Sequence, residues 1–454
     1  MTELKISTSW VRGVVGDGLT PELAVNFACA FGTWLEGGPV ALGRDARFSS
    51  PMLRAAVVAG LMSTGCEIVD LGICSTPLVS FTIRESGCAG GISITGSHND
   101  SHWNALKFLG PDGVLLNSIK GEEFLDIYHA SAFHTVQTGR TARLQAREAP
   151  AGRYLDHLLA GLDVESIRRR GFRVAADFCN GSCAKITGQF LAALGVTLAP
   201  LNAEPGGSFG HSPAPTPANM GAVARLTVEE RADLGAAVNI DGDRVAFVTA
   251  DGTALSEEHT LPLAALGRLA RRPGTVVTNL SSSRMVEALA LPLGTAVVRA
   301  PVGESYVMER GLEESAVLAG EGSGGVTPLP GGMTFDALPT LAIVLEAMAA
   351  EDTTLTGLSE RLPRFEMRKG ALPCRPDQAY RALDCLRSRW EGLAPDCTDG
   401  IRVEWTDAWT HVRVSSTEPL LRVIVEADSP KRADSLYRET VSFAHEAIRR
   451  SRGA

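Results

Sequence analysis

Short apolar runs alternate with segments of helical spacing through most of this chain, and that alternation limits the fold more than any other feature. A strand lying parallel to its predecessor needs a crossover, usually a helix, so the repetition argues for βαβ units on mixed, largely parallel sheets. Thr20 and Pro21 form an N-cap and first-turn pair before a helix over residues 21–35, and Ser50-Pro51 repeats that start signal before a helix reaching about residue 63. Apolar strands are expected at 39–42, 67–71 and 91–95, and a charged linker at 140–153. A second group follows: strands at 172–178 and 196–201, a helix from 184, a Pro/Gly-rich loop over 205–217, and strands 234–240 and 244–248 around an acidic turn. A third has helices near 257, 282–289, 304–311 and 335–350, with strands at 275–279, 297–299 and 316–319. After residue 365 the pattern changes to a helix at 376–390, strands at 401–404, 410–414 and 420–426, and a terminal helix, an α+β module. The rhythm recurs between groups; residue identity does not.

At 454 residues the chain exceeds what one hydrophobic core usually serves. The expected division is 1–150, 151–254, 255–365 and 366–454, three mixed-sheet α/β domains followed by an α+β domain. A net charge of -9 argues against a general nucleic-acid binder, because a phosphate backbone attracts basic surfaces. No uncharged apolar run reaches the ~18 residues a membrane span needs, so no membrane partner is expected. The nine cysteines show no metal-like pair of pairs, and no leader layout precedes them; reduced thiols in the cytoplasm are expected. Oligomeric state is not legible here.

Four loops carry chemistry. In GGISITGSHNDSHWNALKF, residues 90–108, a strand runs into a Gly-Ser-His turn. Gly96 permits a sharp turn, Ser97 projects from the strand end where ligands bind in such sheets, and His98 and Lys107 can move a proton or steady a phosphate. An ordinary polar turn with a satisfied histidine fits the same letters. In NIDGDRVAF, Asn239, Asp241 and Asp243 occupy alternate positions, so an extended backbone would point three oxygens one way, as magnesium prefers. Arg244 beside them could hold a phosphate oxygen, while an acidic hairpin turn is the alternative. In AGEGSGGV, Glu321 and Ser323 could bond sugar hydroxyls, or the segment is a flexible connector. In RVSSTEPLLRVIVEA, Arg413, Ser415, Ser416, Thr417 and Arg422 supply what a dianionic phosphate needs, or form a Ser/Thr turn with surface arginines.

Four such loops in this order resemble the α-D-phosphohexomutase superfamily, the phosphoglucomutase, phosphomannomutase and phosphoglucosamine mutase group. VRGVVGDGLTPE (residues 11–22) and LGRDARFSSP (42–51) extend the likeness over nearly the whole chain. The resemblance implies a four-domain phosphohexomutase architecture around a central cleft, with one loop from each domain. It implies phosphoserine at Ser97, a Mg2+ site from Ser97, Asn239, Asp241 and Asp243, sugar recognition by Glu321 and Ser323, and a phosphate site on the fourth loop. Arg12, Arg44 and Lys107 fall where the family places basic active-site residues. Three departures stand out. The first metal-loop position is Asn239 where the family has aspartate, Asp100 replaces a proline, and the sugar loop reads GEGSGG. That last form, with PVGES and its Glu304, resembles archaeal-type phosphoglucosamine mutases.

The implied reaction moves a phosphoryl group between Ser97 and a hexose monophosphate, a small-molecule partner, through a bound hexose 1,6-bisphosphate that also acts as activator. Lys107 is expected as general base with His98 assisting, its pKa depressed by cations such as Arg12. The rivals are a non-catalytic sugar-phosphate binder and another phosphoryl-transfer enzyme on the same scaffold.

Overall fold

The computed structural model of the protein describes residues 4–415 and 419–450. Its first sheet has seven strands in the order Leu4–Ile6, Trp10–Val14, Trp103–Leu109, Gly90–Ile94, Val40–Arg44, Ile68–Ile73 and Leu144–Ala146. The four strands from Gly90–Ile94 to Leu144–Ala146 run parallel, and the other pairings are antiparallel. Two expectations change here. Residues 103–109 form a strand, not loop, and that strand sets Lys107 opposite Ser93. The 140–153 linker contains the sheet's last strand, paired with Ile68–Asp70. Helices Thr76–Ser86 and Ser118–His129 and strand Glu366–Pro373 are additions to the expected elements.

Helix starts follow local chemistry. The Thr20 hydroxyl accepts from Leu23 N at 3.2 Å, and Pro21 occupies the first turn of Pro21–Trp34. Ser50 does not cap its helix: it lies inside Ser50–Ser63, and its hydroxyl donates to Asp45 Oδ1 at 2.6 Å.

The second sheet orders Val245–Thr249, Leu234–Val238, Arg173–Asp177, Thr197–Leu201; the third orders Val297–Ala300, Val276–Asn279, Leu318–Gly320, Val326–Pro328. The fourth, Glu366–Pro373, Leu420–Ala427, Ala408–Val414, Ile401–Glu404, is wholly antiparallel. Helices Pro376–Trp390 and Pro430–Arg450 pack on it.

One apolar core runs through the first three units, from Leu78 and Val79 through Phe172 and Phe178 to Leu341 and Leu345. Helix Ala337–Ala350 is apolar nearly all round and buried along most of its length, as a helix between two units must be. The fourth unit has its own core around Trp390, Val403 and Val425. It meets the third through polar contacts: His411 Nδ1 with Ser281 Oγ at 2.8 Å, and Arg284 N donating to Glu426 Oε1 at 3.0 Å.

Candidate active site

The serine turn leaves the carboxyl end of Gly90–Ile94, and Ser97 is held at φ +48°, a left-handed conformation unusual for a non-glycine residue. Arg47 holds it there. Its buried guanidinium pairs with Asp45 at 2.9 Å and donates to the carbonyls of Ser97, Asn99 and Trp103 at 3.0, 2.8 and 3.0 Å, and to that of Asp100. Gly96 lies against this arginine; a Cβ there would come within 2.7 Å of the guanidinium carbon. Arg12 reaches the same loop, donating to Asn99 Oδ1 at 2.7 Å.

The acidic turn comes from the second unit. It is a tight turn with Gly242 at φ +74°, not the extended backbone expected, yet its carboxylates still converge. Lys107 Nζ donates to Asp241 Oδ2 at 2.8 Å and to Asp243 Oδ2 at 2.7 Å. Asp243 lies 3.4 Å from Ser97 Oγ. Thr76, at the start of its helix, donates to Asp241 Oδ2 at 2.9 Å, and its backbone N–H donates to Asp241 O at 3.0 Å. Asn239 is turned away from the expected metal pose. Its Oδ1 accepts from Arg244 N at 3.0 Å, while Nδ2 faces Ser97 Oγ at 3.1 Å, Asp241 Oδ1 at 3.0 Å and Asp243 Oδ1 at 2.5 Å.

The charges explain one another. Burial disfavours the Lys107 ammonium, but Asp241 and Asp243 outweigh it and raise its pKa above the ordinary lysine value. Lys107 is therefore held charged, the reverse of the depressed pKa a general base needs. Burial works against Asp243 too, but Lys107 and Arg244 hold its carboxyl below the usual range; burial beside Asp243 pushes Asp241 up. Burial, then Arg244, lowers Arg12 to about 10. Burial with Arg244 and Arg12 lowers His98 well below its ordinary value, so its ring is neutral; its Nδ1 has no hydrogen-bond partner among the described residues.

The PVGES turn joins the third unit to this cluster. Gly303 N donates to Glu321 Oε1 at 2.8 Å, and Val302 N to Asp399 Oδ2 at 2.9 Å. Glu304 opens helix Glu304–Glu313 and accepts from Phe335 N at 2.8 Å. Burial pushes its carboxyl up to about 7; Lys107 pulls it down while Asp243 and Asp241 push it further up, so Glu304 belongs electrostatically to the serine cluster. Glu321 also accepts from Asn279 Nδ2 at 2.7 Å and lies 3.4 Å from Ser323 Oγ. Gly322 admits no side chain, because a Cβ would overlap the Glu258 carboxylate.

In the fourth unit Arg413 and Arg422 sit opposite each other on neighbouring strands. Arg413 Nε donates to Asp399 Oδ2 at 3.0 Å, and Arg422 Nε to Ser415 Oγ at 3.5 Å. Ser416 and Thr417 lie outside the described residues.

The structure thus brings Ser97, His98, Lys107, Arg12, Asn239, Asp241, Asp243, Arg244 and Glu304 together. Asp399 ties the turn that carries Glu304 to Arg413. Arg44 lies elsewhere: it donates to Asp45 O at 3.1 Å, and its charged neighbours are Arg54, Asp45 and Asp70. The arginine at the serine turn is Arg47, three positions on. The sequence reading missed Arg47, Thr76 and Asp399; only the RDARFSSP motif hinted at the first. Among the described residues no group of three His, Cys, Asp or Glu side chains could hold a metal by itself.

Models of the phosphoglucomutase/phosphomannomutase family match the chain four times: alpha/beta/alpha domain I over residues 3–134, domain II over 152–252, domain III over 256–365, and the C-terminal domain over 376–442. A "Probable phosphoglucosamine mutase" of Methanopyrus kandleri is 33% identical, covering 97% of this chain and 98% of its own. A "Phosphoglucomutase/phosphomannomutase" of Thermococcus kodakarensis is 30% identical over 97% and 98%. The crystal structure of a phosphoglucomutase/phosphomannomutase family protein from Burkholderia thailandensis superposes with a TM-score of 0.84 at 26% identity, over 97% of this chain and 98% of the other. With every unit matched in order, the chain belongs to the phosphoglucomutase/phosphomannomutase family of phosphohexomutases.

Proposed function

We propose that the chain interconverts glucosamine 6-phosphate and glucosamine 1-phosphate by way of phosphorylated Ser97. The carrying observation is the Asp243 carboxylate 3.4 Å from Ser97 Oγ, joined through the Lys107 ammonium to Asp241, all buried in the body of the protein. A phosphoryl group on Ser97 would meet Lys107, Arg12 and Arg244, whose charges position it and offset its own. The phosphoryl group passes to the free hydroxyl of the hexose monophosphate, the 1,6-bisphosphate turns end for end, and its other phosphoryl group returns to Ser97. Lys107 is held charged by Asp241 and Asp243 and acts as a cation; His98, whose ring is neutral, is the group left to relay the sugar hydroxyl's proton. The non-reacting phosphate binds Arg413, Ser415 and Arg422, with Ser416 and Thr417 completing that loop.

The donor set fits a hard dication: Asp241 and Asp243 converge on a single cation in this structure, the Lys107 ammonium, and a phosphoryl oxygen on Ser97 adds a third oxygen. Magnesium bound there would neutralise charge developing on the transferred group. All nine cysteines are free thiols, seven of them buried, which supports a reducing, cytoplasmic setting. No helix among the described residues is long and apolar enough to cross a membrane.

Glu304 supports the amino sugar. Its carboxyl, pushed up to about 7 by burial, is ionised in part of the molecules at neutral pH, and an ammonium on the sugar beside it would favour the charged form. Glu321 and Ser323 bond ring hydroxyls in either orientation of the bisphosphate. A second reading, a phosphoglucomutase or phosphomannomutase, is favoured by the name of the Thermococcus kodakarensis relative. Specificity constants for glucosamine, glucose and mannose 6-phosphates, measured with a bisphosphate activator, separate the two. A clear preference for a neutral sugar overturns the assignment.

A further inference from the structure

The orientation of Asn239 is fixed by its surroundings. The side chain is fully buried. Its Oδ1 accepts the Arg244 backbone N–H at 3.0 Å, and its amide hydrogens face Ser97 Oγ, Asp241 Oδ1 and Asp243 Oδ1. Flipping the amide would set N–H against N–H at Arg244 and turn a carbonyl oxygen toward three oxygens, two of them carboxylate. The side chain therefore presents donors to the acidic cluster, and an amide N–H does not ligate a hard cation. An aspartate here would add a third carboxylate to two that already share one ammonium.

We propose that Asn239 is a catalytic hydrogen-bond donor to the Ser97 oxygen and not a metal ligand, an inference that rests on the mutase reading of Ser97. In the transfer the bond between Ser97 Oγ and phosphorus breaks, its electron pair staying on Oγ. A bond forms from the sugar hydroxyl oxygen to phosphorus, and the hydroxyl's proton ends on Oγ. Negative charge develops on Oγ as its bond to phosphorus breaks, 3.1 Å from Asn239 Nδ2. A preorganised donor aimed at that atom stabilises the transition state more than the ground state.

The test compares wild type with Asn239→Ala in two measurements: calorimetric titration of the phosphorylated protein with magnesium alone, and steady-state turnover at saturating magnesium. The expected result is a magnesium Kd within about threefold of wild type, kcat lowered about 10- to 100-fold, and KM for the sugar phosphate nearly unchanged. A larger weakening of magnesium binding overturns the proposal, and so does a kcat loss below about tenfold. If Asn239→Ala does not fold, Asn239→Val, which keeps more of the buried volume and has no ligating or donating atom, takes its place in the same two measurements with the same limits. If wild type turns over no hexose phosphate, the mutase reading fails, while the magnesium measurements still judge whether Asn239 is a ligand.

Discussion

Arg47 offers the sharpest test of how the serine turn is built. The residue is 1% exposed, and its guanidinium is paired with Asp45 and bonded to four carbonyl oxygens of the segment from Ser97 to Trp103. Arg47→Ala leaves the Asp45 carboxylate buried without its cation, which costs ~3–5 kcal/mol. It also releases Ser97 from φ +48°, a conformation that costs a non-glycine residue on the order of 1–3 kcal/mol. If the turn relaxes by ~1.5–3 kcal/mol, roughly one molecule in ten to one in a hundred keeps the serine in place. Arg47→Ala is therefore expected to lower kcat by about 10- to 100-fold and to lower the melting temperature of the first unit in differential scanning calorimetry. Arg47→Lys keeps a charge beside Asp45, but a single ammonium cannot span four carbonyls as the guanidinium fork does. It should recover part of the stability and little of the turnover. An Arg47→Ala protein that melts with wild type and turns over at its rate would refute the reasoning.

Three further outcomes are expected. Ser97→Ala should abolish turnover and the phosphoryl mass increment seen by intact-mass spectrometry without changing the melting temperature; wild-type turnover in that variant would remove the covalent intermediate. Arg413→Ala should raise KM for the sugar phosphate by about tenfold or more, since a hydrogen bond to a charged group is worth ~1.5–3 kcal/mol, and an unchanged KM would put the phosphate elsewhere. Asp336 carries a pH dependence of stability: burial pushes its carboxyl up to about 7 from an ordinary 3.8. The folded chain then holds that proton more tightly than the unfolded chain. This contribution is fully present below pH ~4 and is lost as pH rises through ~7. Asp336→Asn can still cap Leu338 N and removes this slope, so it should gain on wild type in urea unfolding by up to ~1.4 kcal/mol per pH unit across that window. A stability difference that stays flat with pH would show that Asp336 is not the group responsible.

The acidic turn and the serine turn show what was legible in the sequence and what was not. Asp241, Asp243 and Ser97 stand out because glycine and oxygen-bearing residues bounded by apolar strands are a local signal. Asn239 was legible as a departure, but its orientation was not, because the Arg244 backbone N–H that fixes it is placed by the turn's own geometry. Lys107 reads as a base in sequence; it is a cation in the structure because two carboxylates from another unit, 134 and 136 positions away, close on it. Arg44 and Arg47 are three residues apart in one motif, and only strand direction and burial decide which reaches the serine turn. Hydrophobic periodicity and turn chemistry act within a few residues, so the sequence by itself determined the strand–helix rhythm, the α+β end of the chain and the letters of the four loops. Charge state, amide orientation and the junction of Val302, Asp399 and Arg413 depend on which groups meet across units, and electrostatics in a buried site depends on those distances; these only the tertiary structure decided.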